Sequence, residues 1–130
     1  MPLTQKTHKD PFGIADTVHE LSALAETGTA IEVKDADIKC IIIETNHASA
    51  NYIKIWDSPN PDIDTDPPDF MIPIIGLTTK RVISGTFTDC TTSGIFLLAT
   101  ATKNSGNSSA NITHNAPNGT VNVWVVTSPS

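Results

Sequence analysis

The chain holds 15 Ile, 7 Val and 18 Thr against only 6 Leu in 130 residues. Branching at Cβ stiffens a side chain and suits the pleated surface of a sheet. A helical protein of this length would draw far more on Leu, Glu, Lys and Arg. Nine Pro and seven Gly fall mostly between apolar runs, where they supply turns. The chain must therefore build sheets, and its length suffices for one domain with its own core.

The apolar pattern divides residues 28–130 into about seven short strands. Residues 29–34 alternate, with Ile31 and Val33 on one face. Residues 37–46 carry a continuous apolar centre at Ile38 and Cys40 through Ile43, which predicts a strand covered on both sides. Residues 51–57 alternate again, with Ile53 and Ile55 opposite Tyr52, Lys54 and Trp56. A Pro/Asp loop spans 58–69. Residues 70–76 form the next run, and Pro73 demotes it to an edge or bulged strand. Short strands at 80–84 and 95–102 follow, then a polar loop over 103–119. Residues 120–127 close the pattern, with Val121, Val123 and Val125 inward and Trp124 on the other face. No helices intervene to cover a parallel sheet. The expected fold is all-β, an antiparallel two-sheet β-sandwich, jelly-roll-like or Ig-like.

Residues 1–27 read as an N-terminal arm. Residues 1–15 are polar and without period. Over 17–27, Thr17 and Glu20 have capping-box spacing, and Ile14, Val18, Leu21 and Ala25 share a helical face. This predicts a short helix ended by Gly28, with an extended arm as the competing reading.

Charge and composition exclude several function classes. A net charge of −6 argues against nucleic acid and against a membrane surface, because both call for a basic face. No apolar run approaches the ~20 residues of a membrane span. The first residues lack a signal-type apolar stretch, which predicts a reducing compartment. There Cys40 is expected as a small buried hydrophobe and Cys90 as a free thiol in a polar turn.

Candidate chemistry is sparse. Asp62, Asp64 and Asp66 have the alternating spacing of a calcium loop, but Pro67 stands where the sharp-turn Gly belongs and no Glu closes the loop. A solvated acidic loop is the favoured reading. His8, His19, His47 and His114 are scattered and show no zinc spacing. No nucleophile elbow, phosphate loop or dinucleotide fingerprint appears, so neither enzyme activity nor a cofactor is expected. One feature points outward. Tyr52, Lys54, Trp56 and Trp124 lie opposite the apolar rows and, with Phe12 in the arm, are candidate interface anchors. The competing reading turns these strands over and puts the aromatics in the core.

The stretch Asn51-Tyr52-Ile53-Lys54-Ile55-Trp56-Asp57 resembles the Tyr-x-Lys-x-aromatic-Asp strand of small virion proteins of tailed bacteriophages. As in those proteins, it follows an Asn-rich turn, here residues 46–50. Pro67-Pro68-Asp69-Phe70, an apolar strand with Pro73 and Gly76, Ser93-Gly94-Ile95-Phe96-Leu97 and a Val-rich end at 121–126 then come in the same order. The likeness covers residues 37–127 and is one of pattern and order. It implies a β-sandwich of the capsid decoration (cement) type, without catalytic residues. Such a protein would sit as a trimer between major capsid protein subunits on the capsid surface and stabilise the DNA-filled head. A tail, neck or fibre component is the alternative. A calcium-dependent carbohydrate-binding or adhesion module using Asp62, Asp64, Asp66 and Trp56 is the reading from another class.

Overall fold

The computed structural model describes residues 4–9, 17–32, 36–74, 81–91, 94–102 and 114–129. Among them nine strands run in chain order: β1 (Thr4–Lys9), β2 (Thr17–Ser22), β3 (Thr29–Ile31), β4 (Ala36–Thr45), β5 (Asn51–Trp56), β6 (Phe70–Ile74), β7 (Arg81–Thr91), β8 (Ile95–Thr100) and β9 (Val121–Pro129). They form two antiparallel sheets, ordered β1-β2-β9-β4-β7 and β3-β8-β5-β6. Without the outermost strands β1 and β7, seven remain, three in one sheet and four in the other. The two-sheet antiparallel sandwich is thus present, with about the strand number the sequence predicts.

One aliphatic cluster joins the sheets. The larger sheet contributes Leu21, Ile38, Ile41, Ile43, Val121, Val123 and Val125. The smaller contributes Ile31, Ile53, Ile55, Ile72, Ile74, Ile95, Leu97 and Ala99. Alternation dictates this set, since every second residue of each strand points between the sheets. Register enforces it. Ile41 pairs with Val125 and Ile43 with Val123, so inward residues meet across the ladder. Fully burying each such aliphatic side chain stabilises the fold by roughly 1.5–3 kcal/mol. A slip of one residue would turn the whole row to the outside.

The predicted helix at 17–27 is instead strand β2 followed by a turn. Thr17–Ser22 pairs with β9 from Thr17↔Thr127 to Leu21↔Val123. His19 and Leu21 face the core. The helical spacing of Val18, Leu21 and Ala25 is coincidental. A ladder on both sides of Thr17 and Val18, with their β-branched side chains, outweighs a short helix that had no docking surface. The polar start of the chain is likewise a strand. Thr4–Lys9 pairs with β2 at the edge of the larger sheet. The sandwich therefore begins before residue 28. Cys90 lies within β7, which runs on to Thr91, and not in a turn.

Pro73 stands on β6, the outer strand of the smaller sheet, as its missing N–H requires. Gly28, predicted as a helix terminator, serves the turn into β3. Its φ of 74° is left-handed, and a Cβ there would strike the Phe96 ring and lie 2.8 Å from the Leu97 carbonyl.

Candidate functional site

The sandwich has two outer faces, and each carries one Trp. On β5, Ile53 and Ile55 point into the core, which puts Tyr52, Lys54 and Trp56 on the outer side as their alternation predicts. Cross-strand neighbours share that face: Thr100 beside Tyr52, Leu98 beside Lys54 and Phe96 beside Trp56. Yet Lys54, Leu98 and Thr100 are 0 % exposed and Trp56 is 2 % exposed. The expected surface anchors Lys54 and Trp56 are sealed, and only Tyr52 is half-exposed. The reason is a cover that the strand pattern does not encode.

Among the described residues two chain segments make this cover. The first is the Pro/Asp loop 57–69. Its neck closes where Asp69 N–H donates to Ile55 O (2.9 Å) and Asp57 N–H donates to Asp69 Oδ2 (2.6 Å). Its body is tethered by the Trp56 indole, whose Nε1–H donates to Asp66 O at 2.9 Å. The second segment includes His114. Lys54 Nζ lies 3.2 Å from His114 Nδ1, and His114 Nε2 lies 2.7 Å from Ile63 O. A carbonyl only accepts, so Nε2 carries the ring proton and Nδ1 accepts from the Lys54 ammonium. The Trp56 and His114 rings meet edge to face, 5.9 Å apart. Phe96 packs on Trp56 in the same manner at 6.1 Å. Burial pushes the Lys54 ammonium below its ordinary pKa, because desolvation penalises the charged form.

An asparagine pair anchors the far end of the second segment. Asn51 is 0 % exposed. Its Oδ1 accepts from Asn118 N–H (2.7 Å), and its Nδ2 donates to Asn118 O (2.9 Å). Asn118 Nδ2 donates to Ala50 O (3.0 Å), and Thr100 Oγ1 donates to Asn115 O (2.6 Å). Gly119 at φ 66° completes the turn where a Cβ would strike Asn46 Oδ1.

The carboxylates of the acidic loop hydrogen-bond within the loop itself. Asp62 Oδ1 accepts from Asp64 N–H (3.2 Å), and Asp66 Oδ2 accepts from Asp62 N–H (3.4 Å). Thr65 and Asp66 N–H both donate to Asp62 O. The carboxylates serve their own turn. Among the described residues no three His, Cys, Asp or Glu side chains converge to hold a metal ion. Asp57 is held above its ordinary pKa, first by desolvation and then by the charge of Asp69.

The outer face of the larger sheet is different. Trp124 pairs with Glu20 on β2 and Ile42 on β4, and Val126 pairs with Val18 and Cys40. Val121, Val123 and Val125 are 0 % exposed and inward, while Val18, Cys40, Ile42, Trp124 and Val126 are all half-buried. Cys40 is thus a free thiol on the outer face and not a core residue, because the bulge between Ile38 and Cys40 shifts its phase. Phe12 lies outside the described residues. A cleft of about 280 Å³ opens between the turn at Ala23–Glu26 and the strand entry at Val121. Glu26 is its one charged lining residue, so it offers no convergent polar set to fix a ligand.

Sequence reasoning placed Trp56 and Trp124 on outer faces but missed His114 and the Asn51–Asn118 pair. Comparison with family models, curated proteins and solved structures gave no match. No helix among the described residues is long and apolar enough to cross a membrane.

Proposed function

We propose that the protein is a structural component of a bacteriophage virion. In this reading it is a decoration (cement) protein that seats between major capsid protein subunits, as a trimer on the capsid surface, and reinforces the filled head. The observation that carries the reading is the row Val18, Cys40, Ile42, Trp124 and Val126 on the outer face of the larger sheet. Contiguous apolar residues with a Trp at their centre are what an interface needs. The order of motifs shared with small virion sandwiches supports the same reading. The carboxylates of Asp62 and Asp66 bond backbone N–H groups of their own loop, which makes a calcium-dependent adhesion module the weaker reading.

Two experiments test the proposal. Mass-spectrometric counting of this chain against the major capsid protein in purified particles should give comparable copy numbers. A dozen or so copies would assign a tail, neck or fibre, and absence would overturn the virion role. Trp124→Ser should then bind particles more weakly while still melting as a folded domain. Undiminished occupancy would show that another surface makes the contact.

A further inference from the structure

We propose that Asn118-Gly119 is a gated deamidation site. Asn118 converts spontaneously with water, the Asn51 clasp holds this off in the folded chain, and conversion unfastens the second covering segment. The inference is independent of any virion role. It rests on the bonds that tie Asn118 to Ala50 and Asn51, and on the lack of a side chain at Gly119.

The fold calls for this dipeptide. Gly119 has a φ of 66°, in the left-handed region, and a Cβ there would strike Asn46 Oδ1 and lie 2.9 Å from His47 Cβ. Asn118 Nδ2 donates to Ala50 O at 3.0 Å, which an aspartate could not do. These two demands put an asparagine directly before a glycine, the one such pair among the nine Asn of the sequence. Without a Cβ, Gly119 leaves its amide nitrogen unshielded toward the Asn118 side chain. Gly119 is exposed and Asn118 is half-buried, so water reaches the pair.

The reaction balances with water alone. The Gly119 nitrogen gives up its proton to base and attacks Asn118 Cγ. A new N–Cγ bond forms, the Cγ–Nδ2 bond breaks, and Nδ2 takes up a proton and leaves as ammonia. The resulting cyclic imide then takes up one water. Opening at Cγ leaves an aspartyl residue, and opening at the backbone carbonyl carbon leaves an isoaspartyl residue. Nothing is oxidised or reduced.

The clasp opposes the first step. Asn118 Cγ is held through Nδ2 on Ala50 O, and the peptide plane that carries the Gly119 nitrogen is held through Asn118 O on Asn51 Nδ2 at 2.9 Å. Closing the gap between Cγ and nitrogen to a covalent bond pulls at least one of them off its tie. Attack therefore proceeds from the locally opened form, and its rate reports that form's population. Afterwards the clasp cannot re-form. A carboxylate has no N–H for Ala50 O and repels it, and an isoaspartyl link lengthens the main chain beside Asn51.

The test incubates the full chain at one mildly alkaline pH and one temperature, folded in buffer and unfolded in guanidinium chloride. Peptide mass spectrometry and isoaspartyl detection follow each Asn. In the unfolded chain position 118 should convert fastest of all, and in the folded chain it should convert slower by about tenfold or more. Asn51→Ala should speed conversion several-fold in buffer while circular dichroism still shows a folded sheet. Equal rates in the folded and unfolded parent would overturn the gate, whether or not the variant folds. An unchanged rate in a folded Asn51→Ala chain would overturn the role of Asn51. The converted chain is more acidic and separates by anion exchange, and its denaturation midpoint should be lower than the parent's. An equal midpoint would overturn the unfastening.

Discussion

Trp56 and Trp124 occupy equivalent places, each on the outer face of a sheet and each opposite an aliphatic inward row. One is sealed and the other is half-buried. The strands do not make this difference, since both alternate with the same period. Loops make it. Over the smaller sheet, residues 57–69 and 114–118 bring a hydrogen bond to nearly every polar group they cover, which is what allows a lysine to lie at 0 % exposure. The larger sheet shows Val18, Ile42, Trp124 and Val126 at intermediate exposure. Among the described residues, loops thus seal one outer face of the sandwich more completely than the other.

The largest effect should come from the sealed face. Trp56→Ala removes a buried ring and leaves the loop carbonyl of Asp66 without its donor, at a cost of about 3–5 kcal/mol. Trp124→Ala should cost clearly less, because its ring is only half-buried. Chemical denaturation midpoints at unchanged m-value measure both. Equal losses would erase the distinction between the faces. Next in size is Asn51→Ala, which leaves Asn118 N–H and C=O unpaired under the cover. A loss of about 1–3 kcal/mol is expected in the same measurement. No loss would show that the second segment is held by other contacts.

A third prediction separates the core from the cover. His19 is 7 % exposed, with Nε2 3.1 Å from Thr127 Oγ1, and burial holds it below its ordinary pKa. The unfolded chain therefore takes the proton first as pH falls. Stability from a neutral His19 is full above the unfolded value of about 6.5 and is lost as pH drops through the folded value. Melting temperatures should decline from neutral pH into this window, and less so in His19→Gln. An unchanged decline would assign the acid sensitivity elsewhere. The smallest effect belongs to Asp57. Its raised pKa means that its charge opposes the fold once pH rises above the folded value. Asp57→Asn should stabilise slightly at pH 7, and the gain should vanish below the ordinary carboxyl pKa of 3.8. A loss at pH 7 would mean that the carboxylate serves the loop neck.

The sandwich was legible where apolar alternation is strong. β5 and β9 lie where Ile or Val recurs at every second position, β4 and β8 lie on continuous apolar runs, and Pro73 marked its strand as an edge. β1 was not legible because Thr, Lys, Gln and His leave no contrast between its two faces, so only its ladder with β2 defines it. β2 was misread because four apolar residues, Ile14, Val18, Leu21 and Ala25, happened to fit a helical period. The cover was the least legible part. His114 meets Lys54 across 60 residues of chain, and Asn118 meets Asn51 across 67. No local pattern records contacts of that separation. An Asn beside a strand and a His in a polar loop read as surface groups until the fold brings them together.

The most direct test compares the two indoles. Acrylamide quenching at pH 7.5 would be measured on Trp124→Phe, which leaves Trp56, and on Trp56→Phe, which leaves Trp124. The account predicts that Trp56 is strongly shielded and Trp124 is markedly more accessible. Equal accessibility, or a more accessible Trp56, would contradict the claim that loops seal Trp56 on one outer face while Trp124 on the other stays only half-buried.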